Sequence, residues 1–164
     1  MKQDEKSDIV KLKELLNDIR TGILITRSLD GQLDGRPMAT ADVDEDGALW
    51  FFTNEFSKKV KEISWEKKVF LTYSNNAKNT YVVIDGIASL SGDNEKMKQL
   101  WNPLMKVWFP EGLDDPAVSL LKVEPSRVEY WEANMSRPGV FMNRLKSIIK
   151  GKEHEQGKHD KMVL

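Results

Sequence analysis

The chain has 164 residues, 40% of them hydrophobic and 31% charged, which suits one soluble domain with a core of its own. Its 25 basic and 26 acidic residues nearly cancel, so no global field recruits nucleic acid or an anionic membrane, and a bound anion needs a local cluster. Cysteine is absent, which excludes disulfides, thiolate metal sites and cysteine nucleophiles and is consistent with a reducing compartment.

The polar start MKQDEKSD has no signal-peptide core, and no apolar run approaches the roughly 20 residues of a membrane helix. A cytoplasmic protein without membrane or nucleic-acid partners is expected. Both histidines, His154 and His159, fall in the stretch KGKEHEQGKHDK. Positions 1–153 therefore lack an imidazole, and histidine triads, histidine metal centres and a metal cofactor are not expected there. Any redox chemistry would come from an organic cofactor.

Residues 8–19 place Ile9, Leu12, Leu15, Leu16 and Ile19 on one helical stripe, with Ser7 or Asp8 as cap and Gly22 closing the helix. GILITRSL reads as a strand and LDGQLDG as a loop. RPMATADV alternates as a second strand, and DEDG turns it into ALWFFT to make a hairpin. A helix over 57–65 leads to the strand KKVFLTYS, the turn NNAKN and the long strand TYVVIDGIASLSG, with a bulge expected at Gly86.

DNEKMKQLW starts a helix capped by Asp93 or Asn94, and WFPEGLDDP is a loop. AVSLLKVEPSRVEYWE is extended and interrupted at Pro125. A helix is expected from about Val140, and residues 151–164 read as a flexible polar tail after a single domain over 1–150. Six strands with short helices between them predict a mainly β (α+β) domain, a six-stranded antiparallel barrel. Trp101, Leu104, Met105, Trp108 and Phe109 either pack these inserted helices onto the barrel or form an apolar lid.

The chemical clue is Trp50-Phe-Phe-Thr-Asn-Glu-Phe-Ser57-Lys-Lys-Val-Lys-Glu-Ile63. Ser57 occupies an N-cap position, yet Lys58, Lys59 and Lys61 crowd a helix start that prefers acidic neighbours. A phosphate among the free N–H groups, the hydroxyl and the ammonium groups would relieve that conflict; a solvated basic patch is the alternative. The absence of P-loop and GxGxxG patterns favours a monophosphate ligand. Upstream, Arg36, Met38 and Thr40 share one strand face, suited to a flat polar heterocycle or to an edge strand open to solvent.

These segments resemble the pyridoxamine 5′-phosphate oxidase-like FMN-binding split barrels. The shared pattern is an Arg-led strand, an acidic turn, a strand ending in aromatic-Thr-Asn, and Ser-Lys-Lys opening a helix. WFPEGLDDP and VEYWE resemble the general stress protein branch, and the likeness covers roughly residues 8–140. It implies a homodimer with FMN at the subunit interface. Arg36, Pro37, Met38, Ala39 and Thr40 would line the ring and ribityl chain, with Phe52 and Thr53 beside them. Ser57, Lys58 and Lys59 would hold the 5′-phosphate. Trp131 would come from the second subunit, where a core or dimer-contact role is equally open, and Arg137 matches a substrate-phosphate position.

Departures from the oxidases are equally specific. Ala41 stands where they carry a substrate-binding lysine, and Gly139 where they carry a histidine. DNEKMKQLWNPLMKVWF has no counterpart of their helical Tyr, Arg and Ser set, and Tyr81 or a neighbour replaces a polar flavin contact. Pyridoxamine phosphate oxidation is therefore not expected. Two functions follow: an FMN-dependent oxidoreductase of unassigned substrate, with Arg36 tuning the flavin and no catalytic acid or base evident, or a non-enzymatic flavin-binding stress protein. Haem, used by relatives of this barrel, lacks a His or Cys ligand in the body of the chain.

Overall fold

In the computed structural model, residues 3–132 and 139–141 are described. Helix α1 (Gln3–Asn17) precedes strands β1 (Thr21–Arg27), β2 (Leu33–Ala39), β3 (Asp42–Val43) and β4 (Leu49–Asn54). Helix α2 (Lys58–Trp65), strands β5 (Lys68–Asn75) and β6 (Thr80–Ser91) and helix α3 (Asn94–Leu100) follow. Two 3-10 turns (Pro103–Val107 and Gly112–Asp114) lead to the long strand β7 (Val118–Trp131), and β8 (Gly139–Phe141) pairs back onto it.

All strand pairs are antiparallel, in the order β2-β1-β5-β6-β7-β4-β3. The two ends of that order are consecutive in sequence. Thr40 donates its N–H to Arg20 on the β1 side, and Ala41 donates its N–H to Trp50 on the β4 side. Leu33–Val43 is thus one extended segment that bends at Thr40-Ala41 and bridges both edges of the sheet, which curls it into a split barrel. The sheet has eight strands rather than the six expected, because the bend splits the second expected strand into β2 and β3 and β8 is added to β7.

The α1 stripe behaves as its spacing predicts, with Ile9, Leu12, Leu15, Leu16 and Ile19 all buried. These residues join Leu24, Phe51, Leu71, Ile84, Leu121 and Val128 in the main core. Each large side chain removed from water there contributes about 1.5–3 kcal/mol. A second cluster under α3 contains Trp50, Met97, Phe109, Val118 and Leu120. The hairpin, the α2 span, the Asp93 cap and the Gly86 bulge also appear as expected. At the bulge a Cβ on Gly86 would lie 2.7 Å from Val123 Cγ1 and 3.0 Å from the Glu124 carbonyl oxygen.

Several local expectations change. Helix α1 starts at Gln3, ahead of Ser7 and Asp8, and β2 already begins at Leu33 inside the expected loop. Gly22 lies within β1, where a Cβ would fall 2.6 Å from the Tyr73 ring, so close packing rather than helix termination requires it. Strand β7 runs through Pro125, which stands opposite Gly86 where the ladder is already irregular. Val140 belongs to β8 rather than to a helix, because the free edge of β7 pairs with it at Glu129. Among the described residues no helix is long and apolar enough to cross a membrane. Arg137, both histidines and the segment 151–164 lie outside the described residues.

Candidate functional site

Strand alternation decides what each residue of β2 can reach. Arg36 pairs with Leu24, and antiparallel partners share a face, so Arg36 and Met38 point into the barrel while Gly35, Pro37 and Ala39 face outward. Met38 is buried, and Thr40 shares a 2.8 Å hydrogen bond with the Tyr73 hydroxyl. Burial raises the pKa of Tyr73, with Thr40 partly offsetting it, so the phenol stays neutral and anchors the strand.

Helix α2 covers the barrel end where Arg36 emerges. Beneath it Arg36 Nη1 donates to Thr26 Oγ1 at 2.6 Å, Arg36 Nη2 reaches Glu62 Oε2 at 3.0 Å, and Thr26 Oγ1 donates to the same Glu62 oxygen at 2.6 Å. Glu62 and Thr26 are buried, and the triangle consumes the charge of Arg36. Sequence reading missed Thr26 and Glu62 as site residues. The signal for Glu62 was its position four residues after Lys58, one helical turn on; nothing local marked Thr26.

The two lysines of the signature separate in space. Lys58 turns to Asp34 at 2.6 Å and approaches Glu62 Oε1 at 3.4 Å. The Asp34 contact raises the lysine pKa and lowers that of the carboxyl. Lys59 is half-buried and donates to Ser57 Oγ at 3.2 Å. Burial, and then the repulsion of nearby Arg36, lower its pKa. No carboxylate pairs with Lys59 among the described residues.

Ser57 has the extended backbone of an N-cap (φ −71°, ψ 156°), but its side chain does not cap the helix. Its carbonyl already accepts from the Val60 N–H, while the N–H groups of Lys58 and Lys59 have no intrahelical acceptor. Four residues upstream, Thr53 Oγ1 is buried with no hydrogen-bond partner among the described residues. A hydroxyl without a partner, a half-buried unpaired ammonium and unused helix N–H groups collect at one end of the barrel. This donor set fits a phosphate monoester.

Phe52 turns the other way from Thr53, onto Trp101, edge to face with ring centres 5.4 Å apart. The aromatic cluster divides: Phe109, Trp101 and Met105 pack over β4 and β7, whereas Leu104 and Trp108 are exposed. Trp131 pairs with Tyr81 at one end of the 14-residue β7, while Asn54 pairs with Val118 at the other. Within one chain Trp131 and the Ser57–Lys59 turn are therefore far apart. The outer face of β2, β1, β5 and β6 carries Pro37, Ile23, Thr72 and Val83 in one row and Gly35, Ile25 and Phe70 in the next. Ile23 is 40% exposed and Phe70 43%.

A cleft of about 310 Å³ lies beside the bend, lined by Lys13, Asn17, Arg20, Thr40, Ala41 and Asp42 among others. Among the described residues no group of His, Cys, Asp and Glu is placed to hold a metal ion.

The family model described as "Pyridoxamine 5'-phosphate oxidase like" matches residues 7–155. Protein bli-3 of Neurospora crassa is 25% identical over 92% of this chain and 80% of its own length. General Stress Protein 26 of Bacillus anthracis superposes with a TM-score of 0.70 at 25% identity, over 82% of this chain and 97% of that one. A pyridoxamine 5′-phosphate oxidase-related, FMN-binding protein of Nostoc punctiforme shares the fold, with a TM-score of 0.65 and 15% identity over 82% and 87% of the chains. So does a heme-binding protein of Mycobacterium smegmatis, with a TM-score of 0.64 and 12% identity over 82% and 57%.

Proposed function

The chain belongs to the pyridoxamine 5′-phosphate oxidase-like family, in its general stress protein branch, and on that premise we propose that it binds FMN between two copies of itself. The observation that carries this reading is Lys59, a half-buried cation with no carboxylate partner among the described residues, held at the start of α2 by the Ser57 hydroxyl, which caps no helix N–H. Burying an unpaired charge is unfavourable unless an anion completes the site.

In this reading Ser57, Lys59 and the first N–H groups of α2 receive the 5′-phosphate, and the Thr53 hydroxyl gains a polar partner. The exposed edge formed by Gly35, Pro37 and Ala39 runs along the ring and ribityl chain. Arg36 contributes from behind, as a strand residue locked in place by Thr26 and Glu62, rather than by touching the ring. The apolar outer face with Ile23 and Phe70 seats the second copy, and Trp131 closes the neighbour's site rather than its own.

Bound FMN supplies hydride or single-electron transfer. The chain itself orients the cofactor, excludes water and sets the local charge. A small electron donor or acceptor would enter the cleft beside Ala41, which is lined by Arg20, by Lys13 (paired with Glu45) and by Asp42 (paired with Lys96). The protein then works as a flavin-dependent oxidoreductase whose substrate is not pyridoxamine phosphate.

A second reading, a flavin-binding stress protein without turnover, is favoured because the acid–base groups beside the strand are already engaged, Glu62 with Arg36 and Thr26, Asp34 with Lys58 and Tyr73 with Thr40. Haem is disfavoured, because positions 1–153 hold neither histidine nor cysteine. Titration of the apo-protein with FMN while recording solution mass tests the proposal. Stoichiometric binding with two flavins per dimer is expected, and a monomer indifferent to FMN would overturn it. Steady turnover with NAD(P)H and an acceptor separates the enzyme from the binding protein.

A further inference from the structure

The phosphate site carries two carboxylates that a simple anion receptor would lack. Asp34 holds Lys58 at 2.6 Å, and Glu62 lies 3.4 Å from the same ammonium while binding Arg36 at 3.0 Å. Three cations, Arg36, Lys58 and Lys59, thus face two anions, and only Lys59 lacks a carboxylate among the described residues. A phosphate monoester brings about 1.5 to 2 negative charges at neutral pH, more than one free ammonium matches.

The two paired cations differ in their freedom to respond. Arg36 is fixed by two donated bonds, and its side chain is only 22% exposed. Lys58 is 72% exposed on a flexible stem, and its Asp34 partner is 33% exposed. Glu62 is 5% exposed, and among the described residues its Oε1 makes no hydrogen bond and meets a cation in Lys58 alone.

We propose that Asp34 and Glu62 are an internal competitor for the phosphate: Lys58 leaves these carboxylates when FMN binds, and they limit the affinity and the preference for FMN over riboflavin. This deepens the FMN reading and rests on it. The pair also keeps the ligand-free site close to neutral, so the barrel end tolerates its three cations without cofactor. Removing a carboxylate releases Lys58 toward the phosphate and deletes a like charge beside it. Both effects act on FMN alone, because riboflavin has no phosphate.

The experiment compares FMN and riboflavin affinities, by flavin fluorescence titration, in wild type, Asp34→Asn, Glu62→Gln and Asp34→Asn combined with Lys58→Ala. Asp34→Asn is expected to tighten FMN at least about fivefold with riboflavin unchanged, and adding Lys58→Ala should shrink that gain to the part that comes from deleting the carboxylate's own charge. Glu62→Gln should act in the same direction; the half-exposed Asp34 site keeps the test open if the buried variant fails to fold. A wild type that prefers FMN while Asp34→Asn leaves the preference unchanged or smaller would overturn the proposal alone. A wild type that binds both flavins equally, or neither, would overturn the phosphate site itself and the proposal with it.

Discussion

Lys59 Nζ donates to Ser57 Oγ across 3.2 Å, two residues apart at a helix start whose side-chain cap is missing. That contact separates the paired lysines. One stays half-buried near Arg36, with no carboxylate partner among the described residues, and its neighbour turns outward to Asp34.

The division predicts unequal lysine variants. Lys59→Ala is expected to weaken FMN about 10- to 100-fold, the range of a charge-assisted hydrogen bond, with riboflavin nearly unaffected. Lys58→Ala should cost less, since that ammonium must first leave its carboxylates. Calorimetric titration with both flavins checks this, and equal losses for FMN and riboflavin in Lys59→Ala would remove the phosphate from this turn.

Lys59 also sets a pH dependence. Its pKa lies below the ordinary lysine value in the ligand-free fold, through burial and then Arg36. The unfolded chain therefore holds more protons across the window between the lowered and the ordinary value, and this group makes the apo-protein more stable as pH rises through it. Phosphate restores the charged form, so FMN binding takes up a proton there, and its affinity falls with rising pH. Titrations from neutral to alkaline pH should show the fall for FMN and not for riboflavin.

Trp131 tests the second copy. It is 38% exposed beside Tyr81, at the end of β7 far from Asn54. Trp131→Ala should weaken FMN and the dimer together, measured as flavin affinity and as sedimentation at several protein concentrations. Loss of neither would take the indole out of the interface site.

Gly22 tests the anchor of the bent strand. Its missing Cβ leaves room for the Tyr73 ring, which would otherwise come within 2.6 Å, and the Tyr73 hydroxyl meets Thr40 beside the bend. Gly22→Ala must displace a buried ring and should cost about 1–3 kcal/mol, as overpacking does. Thermal melts give the loss. An unchanged melting temperature would mean that the ring has another place to go.

Much of this protein is written in short stretches of its sequence, because the responsible forces act over a few residues. Apolar spacing marks α1, turn residues mark the Asp44–Gly47 hairpin, and Gly86 marks a bulge where a Cβ has no room. The Ser57-Lys58-Lys59 start carries its own electrostatic conflict with the helix dipole, one that a bound anion would relieve. What folding alone decided is which group faces which across the barrel. Arg36 and Lys58 find carboxylates contributed by other elements or a helical turn away, Lys59 finds none among the described residues, and the edges of the sheet meet through the bend at Thr40-Ala41. The Lys58–Asp34 and Arg36–Glu62 pairs bring residues 24 and 26 positions apart in sequence to 2.6 and 3.0 Å, and no local pattern encodes that approach.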